Sequence, residues 1–308
     1  MEILFLGTSG SVPTVERGSP CVALKRNGEL IFFDCGEGTQ RQLAFTNLRY
    51  GRLSKILITH LHGDHVLGLG GLLQTLSLSG RTKPLQIFGP LGIGGFLEAL
   101  AETLHFAPSF DLVVNQTRDA GNIFENDQYV IRVCKTDHEG IFSLAYSLEE
   151  KWRPGEFFPE RATRLGVPEG PLWRKLQYGE SVTLANGNTV DPEMVVGPRR
   201  PGRKVVYSGD TRPTNEIVSL SLNADILIHD STYDDSLLDK AAEYGHSTAS
   251  QAAKVAKEAN VRLLVLTHIS NRYSSDQILL EQARAIFRNT IVAKDFLNIT
   301  VPAAGATS

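Results

Sequence analysis

Thr59-His60-Leu61-His62-Gly63-Asp64-His65 follows directly on the apolar run Lys55-Ile56-Leu57-Ile58. Three imidazoles and one carboxylate therefore fall within six consecutive residues at the end of a strand-like stretch. Two histidines one residue apart point the same way when the chain is extended, and a turn at Gly63 swings Asp64 and His65 back toward them. Taken singly, each histidine would pass for a surface or helix-capping residue. Packed together without a cation, the four groups would be crowded for no gain, so the stretch reads as half of a metal site. Imidazole nitrogen with some carboxylate suits Zn2+ best among the common divalent ions. Four ligand-grade groups from one loop are too many for a single open catalytic zinc, and a second ion is the economical explanation.

Outward from this loop, short apolar runs recur at 3–6, 21–24, 30–33, 56–58, 85–88, 129–133 and 141–147, and again at 204–207, 226–229 and 263–267. They read as strands. Helical patterns lie between them, at 38–45, from 64 to about 78, at 94–104, at 247–258 and at 275–287. Strand and helix alternate in both halves, which predicts a layered α/β protein. Three further candidate ligands stand at predicted strand ends: His138, Asp210 in Ser208-Gly209-Asp210-Thr211, and His268. In layered α/β folds such ends gather on one edge, where loops build sites. His229 and Asp230 also follow a strand, but seven ligands already fill two ions, so these two are expected to support the site rather than bind metal. His246 sits just before the helix pattern at 247–258. The plain reading there is a loop followed by a cap from Ser247 or Thr248, although an imidazole at that place would suit a general acid near neutral pH. His105 has no such context.

The segment from about 150 to 180 breaks the pattern. It carries Pro154, Pro159, Pro168 and Pro171, both tryptophans (Trp152 and Trp173), and the basic residues Lys151, Arg153, Arg161, Arg164, Arg174 and Lys175. Apart from a short helix over 159–165, the punctuation predicts an irregular arm inserted within one domain spanning 1–308. An insertion of that length with exposed tryptophan is expected to have a function. The six cations could equally form a solvated face. The small, polar tail at 303–308 is expected to fray.

Composition bounds the rest. A chain of 308 residues, 42% hydrophobic and 8% aromatic, has ample material for a globular core. No apolar stretch reaches a membrane span and the first residues run straight into a strand pattern, so a cytosolic protein without membrane contact is expected. Cys21, Cys35 and Cys134 lack paired spacing and are expected to be buried thiols. A formal net charge of -3 excludes a protein coated in positive charge but leaves room for a local basic face.

With the ligands in this order, the sequence resembles the metallo-β-lactamase superfamily, whose HxHxDH motif is matched by His60, His62, Asp64 and His65. Within it the chain is similar to the short-form ribonuclease Z family. The likeness runs through Leu6-Gly7-Thr8-Ser9-Gly10-Ser11-Val12-Pro13, Asp34-Cys35-Gly36-Glu37-Gly38-Thr39-Gln40, Ser208-Gly209-Asp210-Thr211-Arg212-Pro213, His246-Ser247-Thr248 and His268-Ile269-Ser270-Asn271-Arg272-Tyr273. The resemblance implies an αββα sandwich with an inserted, protruding arm. It implies one zinc held by His60, His62 and His138, another by Asp64, His65 and His268, and Asp210 bridging them, although other divalent ions could serve. Asp64 would also receive or orient the proton of the attacking water, and His246 would protonate the leaving oxygen. The arm with Leu165-Gly166-Val167-Pro168-Glu169-Gly170-Pro171-Leu172-Trp173 is the more specific sign, because the family uses such an arm to grip tRNA. Lys151, Arg153, Arg161, Arg164, Gly170, Pro171, Arg174 and Lys175 are its candidate contacts. The implied activity is removal of the 3′ trailer from precursor tRNA by a cytoplasmic homodimer, leaving a 3′-hydroxyl on the tRNA and a 5′-phosphate on the trailer. The competing expectation is a small-molecule phosphodiesterase or other ester hydrolase on the same scaffold; a binding protein on a degenerate version would have lost ligands that are intact here.

Overall fold

The computed structural model describes residues 1–302; the tail at 303–308 lies outside the described residues. Two compact units are present. The first comprises Met1–Asn126, Val130–Glu149 and Lys204–Val301, and the second Glu150–Arg203 with Asp127–Tyr129.

In the first unit the chain opens with β1 (Glu2–Gly7), β2 (Ser9–Gly10), β3 (Cys21–Arg26) and β4 (Glu29–Phe33), then α1 (Thr39–Ala44) and β5 (Leu53–Leu57). The helices α2 (Gly63–Val66) and α3 (Gly68–Leu78), β6 (Leu85–Pro90), α4 (Ile93–Thr103) and β7 (Leu112–Thr117) complete the first half. The helix expected from 64 to 78 is thus two. Gly68 abuts the backbone of the preceding loop so closely that a Cβ would lie 2.0 Å from the Gly36 carbonyl oxygen.

β8 (Gly121–Glu125), β9 (Tyr129–His138) and β10 (Ile141–Glu150) follow. The apolar run at 129–133 therefore opens a strand that continues to the candidate ligand His138. In the second unit, α5 (Pro159–Arg164), α6 (Pro171–Gln177), the short hairpin of β11 (Val182–Thr183) and β12 (Thr189–Val190), and α7 (Pro192–Val195) enclose a small core of Ala162, Val167, Leu176, Val182, Val190 and Val195. The irregular arm expected to about 180 is instead a folded unit that runs on to Arg203. The short helix expected from Pro159 is α5, but Pro171 and Pro192 also open helices, a position where the missing N–H costs nothing, and there the punctuation misled. Trp173 is packed rather than free, its Nε1–H donating to the Val167 carbonyl at 3.1 Å, whereas Trp152 is exposed.

The chain re-enters the first unit with β13 (Lys204–Tyr207), α8 (Asn215–Ser221), β14 (Ile226–Asp230), α9 (Leu238–Glu243), α10 (Ala249–Glu258), β15 (Leu263–Thr267), β16 (Ile269–Ser270), α11 (Gln277–Ile286), β17 (Thr290–Val292) and β18 (Asn298–Thr300). Two seven-stranded sheets result, ordered β18-β1-β3-β4-β5-β6-β7 and β17-β15-β14-β13-β10-β9-β8. Their inner faces meet through Phe33 and Tyr207, with ring centroids 5.4 Å apart, and through Tyr146, whose hydroxyl donates to the Ile58 carbonyl at 2.6 Å. On the outer faces, leucines of α3 cover the first sheet and alanines of α10 cover the second, giving an αββα sandwich with a core between each sheet and its helices. β4 pairs in parallel with β5, and β13 with β14 and then β15. Parallel pairing puts the carboxyl ends of these strands on one edge of each sheet, where the predicted ligands lie.

Candidate metal centre

Asp34, just after β4, organises the histidine-rich loop. Its carboxylate accepts from the Thr59 N–H (2.8 Å), the Thr59 hydroxyl (3.0 Å) and the Tyr207 hydroxyl (2.9 Å), and it pairs with His65 Nδ1 at 2.7 Å. These partners come from β5's exit, α2 and β13, so one buried carboxylate fixes both sheets at the site. Gly209 makes the opposite approach: its φ is +59°, and a Cβ there would lie 2.7 Å from the Thr59 side chain.

The imidazoles share one hydrogen-bonding logic. His65 Nδ1 faces Asp34, His138 Nδ1 faces the Gly245 carbonyl at 2.8 Å, His60 Nδ1 faces the Thr59 hydroxyl at 3.0 Å, and His268 Nδ1 faces the Thr232 hydroxyl at 2.8 Å. Both hydroxyls spend their own proton on carboxylates, Thr59 on Asp34 and Thr232 on Asp230. In each case Nδ1–H is then the donor, and the lone pair is left on Nε2.

All four Nε2 atoms converge on Asp210 Oδ2, at 3.8 Å from His60, 3.3 Å from His65, 3.9 Å from His138 and 3.1 Å from His268. Asp64 Oδ2 lies 3.5 Å from both His65 Nε2 and His268 Nε2, and accepts from the Ser11 N–H at 3.0 Å. On the other side, His62 Nδ1 is 3.2 Å from His138 Nε2. Two sets of three thus form, His60 with His62 and His138, and Asp64 with His65 and His268, each with ligand atoms within 4.8 Å of one another. Asp210 stands between them. All seven sequence-predicted ligands meet here.

The donor set fits cations. His60 Nε2, His65 Nε2, His268 Nε2 and Asp210 Oδ1 are buried without hydrogen-bond partners, an arrangement that is costly unless something positive sits among them. Burial and the neighbouring imidazoles hold His60 well below the usual histidine range, as a neutral ligand must be. Burial would raise Asp210, but His268 and His65 outweigh it and keep the carboxyl well below the usual range. His268 carries its ring from a left-handed backbone, φ +59°, which costs about 1–3 kcal/mol and persists where surrounding structure over-determines it.

Beside this cluster, Asp230 Oδ2 accepts from the Thr211 N–H at 3.1 Å and faces His246 Nδ1 at 2.8 Å, while Oδ1 accepts from the Thr232 N–H and hydroxyl. With Nδ1 committed, the other ring nitrogen of His246 is the one left for a substrate. Burial disfavours the imidazolium, yet Asp230 reverses this and pushes His246 up to about 9. His246 lies against the cluster, its ring centroid 4.9 Å from that of His138 and 5.1 Å from that of His268. Buried His229 points elsewhere, with Nδ1 on the Asp230 carbonyl.

A profile of the metallo-beta-lactamase superfamily matches residues 14–268. Ribonuclease Z of Nitrosopumilus maritimus is 46% identical, over 98% of this chain and 100% of that protein, and ribonuclease Z of Natronomonas pharaonis is 48% identical over 92% and 91%. This chain belongs to the ribonuclease Z family. The crystal structure of human tRNase Z, short form, superposes with a TM-score of 0.72 at 32% identity, covering 98% of this chain and all of that one.

Relative to the family's expected arm contacts, Arg161 and Arg164 lie exposed on α5, Arg174 and Lys175 exposed on α6, and Gly170-Pro171 at the start of α6. Lys151 and Arg153 are half-buried where the second unit begins. None of these belongs to the metal cluster. The basic loop at 198–204 contributes Arg203, whose guanidinium grips both carboxylate oxygens of Glu150 at 2.7 Å. Sequence reasoning gave no part to Asp34, Thr59, Tyr207 or Thr232. Only Asp34 had a signal, its place in the Asp34-Cys35-Gly36-Glu37 motif.

Proposed function

We propose that the chain is a zinc-dependent endoribonuclease that removes the 3′ trailer from precursor tRNA, leaving a 3′-hydroxyl on the tRNA and a 5′-phosphate on the trailer. The observation that carries this reading is the set of buried Nε2 atoms converging on Asp210 in a chain so similar to ribonuclease Z along its whole length. His60, His62 and His138 would hold one zinc ion, Asp64, His65 and His268 the other, and Asp210 would be shared. When bound, such a pair supplies Lewis acidity toward an anionic phosphodiester and makes water easier to deprotonate.

The protein's own groups do the rest. Asp64, oriented by the Ser11 N–H, receives or directs the proton of the attacking water. His246, held by Asp230, whose carboxylate favours the protonated ring, gives its remaining ring proton to the departing 3′-oxygen. The exposed cations of α5 and α6 grip tRNA phosphates by position rather than by sequence. Acidic side chains such as Glu160, Glu169 and Glu180 interleave with them, which limits indiscriminate attraction to other polyanions. A cytoplasmic homodimer completes the reading. Among the described residues no helix is long and apolar enough to cross a membrane.

The test is precursor tRNA incubated with wild type and with Asp64→Ala, followed by mapping of both new ends. Wild type should yield the stated termini, and the variant should lose cleavage by at least about 100-fold, as for loss of a group acting in acid–base transfer. Equal cleavage by the two would refute the mechanism. Turnover of small phosphodiesters with no precursor cleavage by wild type would establish the small-molecule hydrolase instead.

A further inference from the structure

Arg212 belongs to the same motif as Asp210, yet nothing above uses its side chain. Its backbone N–H donates to the Asp137 carbonyl at 2.8 Å. Its guanidinium donates to Asp137 Oδ1 at 2.8 Å, to the Ala242 carbonyl at 2.6 Å and to the Glu243 carbonyl at 3.3 Å. Asp137 immediately precedes His138 at the end of β9. Ala242 and Glu243 close α9, whose exit turn carries Gly245 and His246. One side chain therefore fastens the strand end bearing a metal ligand to the turn bearing the proton donor.

These two segments already touch backbone to backbone. Gly245 has a φ of +70°, and a Cβ on it would lie 2.2 Å from the Glu139 nitrogen and 2.8 Å from the His138 Cα. Across that contact the Gly245 carbonyl takes the His138 Nδ1 hydrogen bond, so any slippage of the turn moves the acceptor that orients His138 and, in the same motion, His246. With no side chain at Gly245 to lock the contact, it is held from behind, by the guanidinium.

We propose that Arg212 is a positioning residue, a clasp that sets His138 and His246 in register with each other. A planar guanidinium donates in several fixed directions at once, which a lysine ammonium cannot reproduce here. The Arg212 side chain is 27% exposed and that of Asp137 56% exposed, so their ion pair contributes little to overall stability, and its loss acts through geometry.

The inference rests on the reading of His138 as a ligand and His246 as an acid, and the test separates the two. Arg212→Ala, Arg212→Lys and wild type, all zinc-loaded, are compared for zinc affinity by chelator competition, for melting temperature, and for kcat and KM on precursor tRNA and on bis(p-nitrophenyl) phosphate. Each is repeated with millimolar guanidinium chloride. For Arg212→Ala, zinc affinity at the site of His60, His62 and His138 and kcat on precursor should each fall by roughly 10–100-fold, as for other groups that orient ligands, while KM changes little. The lysine variant should stay low, and guanidinium should restore part of both losses in Arg212→Ala but none of the activity lost in His246→Ala. Unchanged zinc affinity and kcat in Arg212→Ala would overturn the clasp. So would losses that track a lowered melting temperature and ignore guanidinium. If wild type proves not to cleave precursor tRNA, the proposed function fails, while zinc affinity and small-ester turnover still decide the role of Arg212.

Discussion

Asp34 makes the strongest case at the scale of a single residue. It lies outside the candidate ligand sets, but it fixes the tautomer of His65 and accepts from Thr59 and Tyr207 while held at φ +57°. Asp34→Asn keeps the shape and replaces an acceptor oxygen with an amide that can present a donor to a donor. Zinc affinity should fall about 10–100-fold, as for other groups that orient ligating histidines. The melting temperature should also fall, because each buried donor left without a partner costs about 1–3 kcal/mol. An unchanged zinc affinity would mean that His65 needs no such support. The contrast with the ligands themselves is instructive. His60, His62, Asp64 and His65 fall within six consecutive residues, and their chemistry is legible in one line of sequence. Asp34 draws its partners from positions 59, 65 and 207, and only folding reveals that they share one carboxylate. His246 was legible as an imidazole beside a helix cap, but its task depends on Asp230, sixteen residues away in the chain.

Among elements, the buried central strands were legible because the runs Leu30–Phe33 in β4, Ile226–Ile228 in β14 and Leu263–Leu266 in β15 are continuously apolar, as strands covered on both faces must be, whereas β7, which is half polar, and β8, β17 and β18, which carry no such run, were not expected. The second unit was hard to read. Its core residues Ala162, Val167, Leu176, Val182, Val190 and Val195 are too widely scattered to show a period, and its prolines look like breaks although Pro171 and Pro192, like Pro159, begin helices. The structure also sets how its role is tested. Cutting out 152–175 would leave half of a hydrophobic core exposed. Glu150 and Arg203, by contrast, meet at the neck of the unit, with the Glu150 N–H donating to the Arg203 carbonyl at 2.9 Å, so residues 151–202 can be replaced by a short glycine linker. Precursor tRNA cleavage should then drop by about 1,000-fold or more, the scale of losing several phosphate contacts, while hydrolysis of bis(p-nitrophenyl) phosphate persists. Parallel loss of both activities would assign this unit to the scaffold rather than to substrate grip.

At the scale of the whole molecule, the proposed metal centre and the fold should be coupled. Candidate ligands arrive from the end of β9 and from the segments that follow β5, β13 and β15, and several of their buried nitrogens have no hydrogen-bond partner. Stripping divalent ions with a chelator should therefore lower the melting temperature by about 10 °C, the effect expected when a ligand present at some thousand times its dissociation constant is withdrawn. Re-addition of zinc should restore it. Identical melting curves with and without chelator would show that the cluster holds its shape unaided.

β18 pairs with β1, matching Glu2 with Thr300, and β2 lies beside β16, matching Ser9 with Ile269. A strand at residues 2–7 thus waits for one at residues 298–300 before its outer edge is covered. During synthesis that apolar strand is an open template for pairing with other nascent chains, a hazard that the late arrival of residues 298–300 removes. Chains lacking those three residues would be prone to aggregate even with every proposed site residue already translated.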